Sequence, residues 1–481
     1  MGRVIDPSQP LPVYVQLKTM LIEEILGGRY GPGDRLPTEH ELCALYGISR
    51  TPVHRALAEL AEEGAILRQR RLGTFVNPHW VRLNDSQAEL LVTVPDGPWE
   101  ALVRAACPDG VTLNVTTVEL ADLHQVLTHA VAEGRAPDVA LLDSVWVPEF
   151  AASGFLYPLD ELDPGWLRTE YVADLVDPFV EANRYGGHPV ALQAEADVAG
   201  LWYRRTLLAE VGLEPPRTWG DLTVAAAALT QAGVRQPLAF PAGSRGGEAT
   251  TYCLLGLLAA NGVTVLDEHG VTIDSPGAVE CLIFLRDLVD GGVLPADAVS
   301  YEYDRAARML ARGQVALTIG GSYELRTLAA ETGLGVDEVW EQFGFVPPPQ
   351  GPRGGATTLA GGMVHGIFRQ AQHPHLAMRL LQRLAAPEAM VRMARETGQL
   401  AVRRTAAALA DDGSGFLHDT AAMLGGAVVR PPTPTYPRVS NQLQAMLEAV
   451  LVGRTDPADA ARRAADLISA ITGLQVQVAV P

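Results

Sequence analysis

Four side chains near the start of one short segment, Arg50, Thr51, His54 and Arg55, are of the types that donate to and accept from base edges in a DNA groove. Their spacing matters as much as their types. Val53, Leu57 and Leu60 recur at helical intervals, so a helix from about Arg50 turns these three inward and leaves those four on its outer face. Ser49 is its candidate N-cap, Pro52 is tolerable in a first turn, and Gly64 closes it. Upstream, Thr38 opens a T-x-x-E capping box with Glu41, which starts a shorter helix carrying Leu42 and Leu45 inward and ending at Gly47. Val13, Leu17, Met20, Leu21 and Ile25 make the apolar face of an earlier helix, stopped by Gly27-Gly28. Ile66-Leu67 and Thr74-Phe75-Val76 read as two short strands around Arg70, Arg71 and Gly73. Three helices and a hairpin in this order are a winged helix-turn-helix. The third helix enters the major groove, and the hairpin tip lies on phosphate or in the minor groove, where Gly73 permits close approach. Taken singly, each arginine suits a solvated helix face equally well; the ordered combination is what favours DNA.

Composition narrows the remaining chemistry. The chain has 481 residues, 48% of them apolar, which suits two to four domains with real cores. Lys18 is the only lysine among 37 basic residues. Schiff-base enzymes need a lysine amine and P-loop NTPases need GK[ST], so both classes are excluded outside the first helix. Cysteines at 43, 107, 253 and 281 form no CxxC pair, which argues against zinc and disulfide frameworks. No window reaches the ~20 apolar residues of a membrane helix. The first residues hold no basic stretch followed by an apolar one, so no secretion signal and a cytoplasmic location are expected. The net charge of −19 is unevenly spread, because residues 1–80 hold nine basic and nine acidic side chains and the rest hold 28 and 47. An acidic body is repelled by phosphate, so any nucleic-acid contact belongs to the neutral N-terminal piece.

Beyond residue 88 the pattern alternates. LLVTVP (90–95), a helix from Trp99 to Ala106, VTLNVTTV, a helix over 120–133 and PDVALLD (137–143) form a βαβαβ opening, for which a parallel sheet with flanking helices is expected. GGHPVALQAEADVAGLWYRR gives a strand, a crossover and a second strand entering a helix, with Trp202 and Tyr203 as strand core. VALTIGGSYEL, FGFVPPPQ and GGMVHGIF add strands, and Ser440 to Thr472 is helical. There are two α/β runs, and the chain crosses between them more than once.

Residues 11–76, through GDRLPTEHEL, ISRTPVHRAL and LGTFV, resemble the DNA-binding domain of the GntR family of bacterial transcription regulators. The resemblance implies that Arg35 contacts phosphate, Thr38 and Glu39 start the second helix at the DNA backbone, Arg50 and His54 read bases, and Gly73 sits at the wing tip. His54 stands where the family often has arginine, and Leu72 stands where glycine or arginine is commoner. Both departures bear on the operator sequence. The effector domains of such regulators differ, and an aminotransferase-like tail fails here for want of its lysine. Over about 90–475 the order of PDVALLD, FAASGFLYPLDEL, ALQAEADVAGLWYRRTLLAEVGLEPPRTWGDL, ARGQVALTIGGSYEL, LAGGMVHGIF and YPRVSNQLQAMLEAVLVGRTDPADAA resembles family 1 extracellular solute-binding proteins of the maltose-binding type. That resemblance implies a type II periplasmic-binding-protein fold, two α/β lobes with a cleft for a carbohydrate or related polar molecule, and hinge closure on binding.

The expected organisation is therefore a DNA-binding head over 1–76, a linker over 77–88 and a two-lobed sensor over 89–481 with lobes discontinuous in sequence. A sugar cleft needs flat aromatic faces for C–H surfaces and carboxylates, amides or arginine for hydroxyls. Asp143 and Trp146 stand at the turn after PDVALLD, and Gln193, Glu195 and Asp197 in the first crossover. Tyr323 follows the Gly320-Gly321 turn at the family's common aromatic position, Tyr252 opens an apolar helix, and Gly361-Gly362 offer backbone N–H groups. Each has a plainer use, in core packing for the aromatics and in solvated or paired charge for the carboxylates. Catalytic motifs are missing. Ala242 to Gly246 lacks the first glycine of GxSxG, and HELCA is not HExxH. The reading is a ligand-responsive regulator, not an enzyme. Its partners are double-stranded operator DNA, a sugar or oligosaccharide effector and a second copy of itself; no cofactor, metal or membrane is involved. The rival is a transport-associated sugar-binding protein with a non-regulatory head.

Overall fold

Apolar stripes at helical spacing build the N-terminal core. In the computed structural model, which describes residues 5, 13–26, 29–69, 72–78, 80, 88–355, 358–411, 413 and 415–477, α1 (Val13–Leu26), α2 (Glu39–Tyr46) and α3 (Arg50–Glu62) pack around Leu17, Leu21, Leu42, Val53, Leu57 and Leu60. Each fully buried leucine contributes about 1.5–3 kcal/mol. The T-x-x-E box forms as expected: the Glu41 N–H donates to Thr38 Oγ1 at 3.3 Å and the Thr38 N–H to Glu41 Oε2 at 2.7 Å. Ser49 occupies the N-cap position of α3, without a side-chain bond to the helix. Strands β1 (Ile66–Gln69) and β2 (Gly73–Val76) pair antiparallel from Ile66↔Val76 to Gln69↔Gly73, forming the wing. One inward expectation fails. Leu45 is 54% exposed. The face of α2 that meets the core is set by Leu42, Cys43 and Tyr46, and at about 100° per residue Leu45 falls to one side of it. Arg70 and Arg71, expected at the wing tip, and Gly27-Gly28 lie outside the described residues.

The chain divides into two compact units, Met1–Leu91 with Cys107–Asn114, and the remainder. Residues 88–477 form two α/β lobes, all within the larger unit except residues 88–91 and 107–114. The first contains β3 (Ala88–Pro95), α4 (Trp99–Ala105), β4 (Val111–Val118), α5 (Leu120–Ala132) and β5 (Val139–Asp143). Val139 to Leu142 are buried on both faces, as a central strand requires. After β6 (Leu192–Gln193) the chain crosses through residues 194–196 into the second lobe and forms β7 (Asp197–Arg204), β8 (Leu238–Ala239), α6 (Glu248–Ala259), β9 (Leu317–Gly321), β10 (Phe343–Val346) and β11 (Leu359–Gly361). It returns through Gly362 into β12 (Met363–Ile367) of the first lobe. It later adds β13 (Val428–Val429), α7 (Tyr436–Leu451) and α8 (Pro457–Thr472).

The sheet orders are β4-β3-β5-β12-β6 and β8-β9-β7-β11-β13, with β10 also on β7. Neither is purely parallel. β3 and β5 run parallel as expected, but β12 is antiparallel to both β5 and β6 because it re-enters from the other lobe. Trp202 and Tyr203 are core residues on β7, and the Trp202 indole N–H donates to Gly321 O at 2.9 Å.

The crossings are bonded to each other. The Ala194 N–H donates to Met363 O and the Ala196 N–H to Leu400 O, both at 2.9 Å, while the Met363 N–H donates to the Glu195 carboxylate at 2.6 Å. Gly362 has φ +132°, and a Cβ there would strike Glu195 O, so this crossing needs glycine. These segments join the two lobes.

Candidate functional site

In the head, the first residue of α2 gathers the side chains expected to read DNA. Glu39 accepts from Arg50 Nε at 3.0 Å, from Arg68 Nη2 at 2.7 Å, and shares a 2.9 Å bond with His54 Nδ1. The arrangement follows from three local features: the capping box sets the start of α2, Pro52 suits the first turn of α3, and β1 carries Arg68 beside both. Glu39 is 17% exposed whereas Arg50 is 83% exposed, so the carboxylate forms the floor and the cations form the surface. The His54 hydrogen bond, followed by those of Arg50 and Arg68, brings the Glu39 carboxyl down to about 2. The result is a preorganised cationic surface on the outer face of α3.

The other head residues fall around it. Thr51 is exposed on the first turn of α3. Arg35 bridges to Phe75 of β2, with its side chain against Gly73 at the start of that strand. Arg55 turns the other way, towards α1. Its guanidinium lies 3.6 Å from the Tyr14 ring centroid, donates to Tyr14 Oη at 2.8 Å, and pairs with Glu59 at 3.2 Å. Arg68 was not anticipated; a single basic residue on a four-residue strand carries no periodic signal.

In the larger unit, a cleft lies where the two lobes meet, lined by Ser144, Phe179, Gln193, Gly361, Arg430 and Pro431 among others. Arg430, 7% exposed, leaves β13 of the second lobe and reaches the end of β5 in the first. Its Nη2 lies 3.4 Å from both Asp143 Oδ1 and Ser144 Oγ, and its Nη1 donates to Glu248 Oε1 at 3.0 Å. The guanidinium carbon sits 5.3 Å from the Tyr252 ring centroid. Tyr252 donates its hydroxyl to Asp197, and its ring meets Tyr323 edge-on at 5.8 Å. Gly361 explains why these groups can converge, since a Cβ there would stand 2.6 Å from Arg430 Nη2, 2.9 Å from Asp197 Oδ1 and 3.1 Å from Tyr252. Tyr436 and Ser440 at the start of α7 each donate to Glu248 at 2.7 Å.

The charges in this cleft are out of balance. Burial, with Asp197 beside it, holds the Glu195 carboxyl well above the usual range, and burial pushes Asp197 up to about 6. Burial also raises Glu248. Burial opposes the charge on Arg430, but the Asp143 and Glu248 carboxylates more than offset it and hold its pKa up. Glu195 Oε2 is buried without a hydrogen-bond partner.

Asp143, Gln193, Glu195, Asp197, Tyr252, Tyr323, Gly361 and Gly362 thus come together around the hinge and cleft. Gln193 is held there by Asn183 Nδ2 at 2.6 Å and by its own bond to Glu195 O at 2.9 Å. Trp146 does not join them; it packs in the first lobe, 5.1 Å from His124 and against the core of Phe150 and Leu123. Arg430 and Glu248, the centre of the cluster, were missed. Arg430 follows a two-residue strand and Glu248 opens an apolar helix, and in sequence each is one charged residue among many. Among the described residues no group of His, Cys, Asp and Glu has metal-holding geometry, and no helix is long and apolar enough to cross a membrane.

Comparison with known proteins gives two family matches, to bacterial extracellular solute-binding proteins over residues 93–391 and to bacterial regulatory proteins of the gntR family over 13–76. A putative binding protein of Brucella abortus (strain 2308) is 22% identical over 360 residues, covering 72% of this chain and 82% of that protein. An uncharacterised HTH-type transcriptional regulator, YurK, of Bacillus subtilis (strain 168) is 48% identical over 73 residues, 15% of this chain and 30% of that regulator. A Thermotoga lettingae solute-binding protein solved with alpha-D-tagatose superimposes with a TM-score of 0.72 at 24% identity, covering 80% of this chain and all of that one. The matched families are binding and regulatory ones.

Proposed function

This chain belongs to the bacterial extracellular solute-binding protein family and carries a gntR-family head, and from that premise we propose that it is a saccharide-responsive DNA-binding transcription regulator. The observation that carries this reading is that one polypeptide holds both an exposed cationic surface on α3, ordered by Glu39, and a hinged cleft centred on Arg430. We assign DNA contact to Arg35, Thr38, Glu39, Ser49, Arg50, Thr51, His54 and Gly73, with Arg50 and His54 at base edges. We assign ligand contact to Asp143, Gln193, Asp197, Tyr252, Tyr323, Gly361 and Arg430, with Glu195 and Gly362 serving the hinge. The boundaries are a head over 1–76, a linker over 77–88 and a sensor over 89–481.

In this reading a sugar binds across the hinge and stabilises one lobe arrangement over another, and a dimer transmits that change to two heads on operator half-sites. On this reading the protein works in the cytoplasm and binds without turnover. The test is the affinity of the full chain for a selected operator duplex, measured with and without a saccharide panel. A bound effector is expected to shift that affinity by about 5–150-fold in either direction. Arg50→Ala is expected to cost about 1–3 kcal/mol of sequence discrimination, read by competition between operator and scrambled duplexes. Failure to bind any duplex, with or without sugar, defeats the reading. The transport-associated alternative draws on the extracellular solute-binding family match over residues 93–391. It predicts saccharide binding with no duplex binding.

A further inference from the structure

Arginine in a sugar cleft ordinarily invites an anion, because its planar fork matches phosphate and carboxylate. Here the fork is already occupied. Nη1 is given to Glu248, Nη2 faces Asp143 and Ser144, and Asp197, like Nη2, stands against Gly361 with Tyr252 bonded to it. Glu195 adds a fourth carboxyl at the hinge, with one oxygen buried and unpartnered. Among the described residues no second basic side chain is bonded to any of these four carboxyls. An incoming anion would meet one cation already shared between the Asp143 and Glu248 carboxylates, with Asp197 close by. A hydroxyl-rich neutral molecule meets the opposite situation. Its O–H groups can donate to the Asp143 and Asp197 carboxylates, and an amine can do the same with a favourable charge.

Resting on the saccharide reading above, we propose that the cleft selects by charge: it takes free or amine-bearing sugars and refuses the phosphate esters and uronic acids of the same sugars. The imbalance belongs to the protein and not to the ring, so it applies whichever sugar fits. One like charge within a few ångströms of a partly buried carboxylate weakens binding by about tenfold or more.

The experiment is calorimetric titration of the full chain, backed by thermal shift, with matched probes: D-tagatose and maltose, their 6-phosphates, glucosamine and glucuronate. A second series uses the double variant Asp197→Asn, Glu248→Gln. The expected result is that a free sugar or the amine binds the wild-type chain, that its anionic counterpart binds about tenfold more weakly or worse, and that the double variant narrows this gap. An ester or uronate that binds as tightly as its neutral counterpart overturns the proposal while leaving the saccharide reading intact. A gap that stays unchanged in a folded double variant overturns it as well. If no probe of any charge binds, the saccharide reading itself falls, and the charge rule falls with it.

Discussion

Two clusters of the same side-chain types sit in this chain with opposite arithmetic. In the head, one carboxylate, Glu39, serves Arg50, Arg68 and His54, and the cations lie outermost. In the larger unit, one cation, Arg430, serves Asp143 and Glu248 with Asp197 close by, and here the cation itself is the group withdrawn from water. Hydrogen-bond chemistry is shared, so the difference lies in the sign of the surplus and in exposure. An exposed surplus of cations costs little in the free protein, because water solvates it, and it is available to a polyanion. A buried surplus of acid is expensive, and the charges respond by shifting their proton affinities, as Glu195, Asp197 and Glu248 do. The head therefore stores its function on the surface, whereas the cleft stores its function as strain between charges.

The sharpest way to break this contrast is to remove the central cation. Arg430→Ala leaves Asp143 and Glu248 facing each other without a counter-charge, and is expected to cost about 3–5 kcal/mol. Urea unfolding of the full chain reads this well, since six of its seven tryptophans lie beyond residue 92. A loss under about 1 kcal/mol would mean the cluster is held by neutral acids instead of by the guanidinium. Next in size is Asp197→Asn, with the opposite sign. A carboxyl raised from its usual range to about 6 stabilises the fold most below pH 4, and that contribution is lost as pH rises through 6. The asparagine can still accept from the Tyr252 hydroxyl, so the variant should be about 1–3 kcal/mol more stable than wild type at pH 7 and no more stable at pH 4, while saccharide affinity falls. Equal stability at both pH values would show that Asp197 is not held proton-rich.

The same contrast explains what could be seen in the sequence. The head was legible almost residue by residue, because its signals are local: a capping box at Thr38 and Glu41, an apolar stripe through Val53, Leu57 and Leu60, and a glycine at 73. Leu45 went wrong where an eight-residue helix offers too few turns to fix its buried face. The two α/β runs were also legible from strand and helix alternation, though not the antiparallel entry of β12, which depends on where a distant segment returns. The cleft was half legible. Asp143, Asp197 and Gly361 stand at strand ends, where function is expected, but their partners Glu248 and Arg430 lie 51 residues or more from any of them in sequence. Trp146 shows the converse, an aromatic at the right kind of turn whose ring the first-lobe core claims. Charge complementarity across such separations leaves no periodic trace.

The smallest effect expected on stability is also the one that isolates the head. Glu39→Gln removes the floor of the cationic surface, and because its partners are exposed the cost should be only about 1 kcal/mol after solvent screening. The pH dependence has the reverse sign to that of Asp197. With its carboxyl brought down to about 2, Glu39 stabilises the head fully above about pH 4.5 and loses that contribution as pH falls towards 2, and the glutamine variant should lack this step. DNA binding moves more than stability does. Freed from the carboxylate, Arg50 and Arg68 become available to phosphate, so affinity for a random duplex should rise and the salt slope should steepen by about one, while preference for a selected operator falls. Fluorescence anisotropy at several salt concentrations reads all three quantities. If random-duplex affinity stays the same or drops, Glu39 contributes a direct DNA contact that outweighs the cations it restrains, and the surface arithmetic drawn for the head is wrong even though its fold is not.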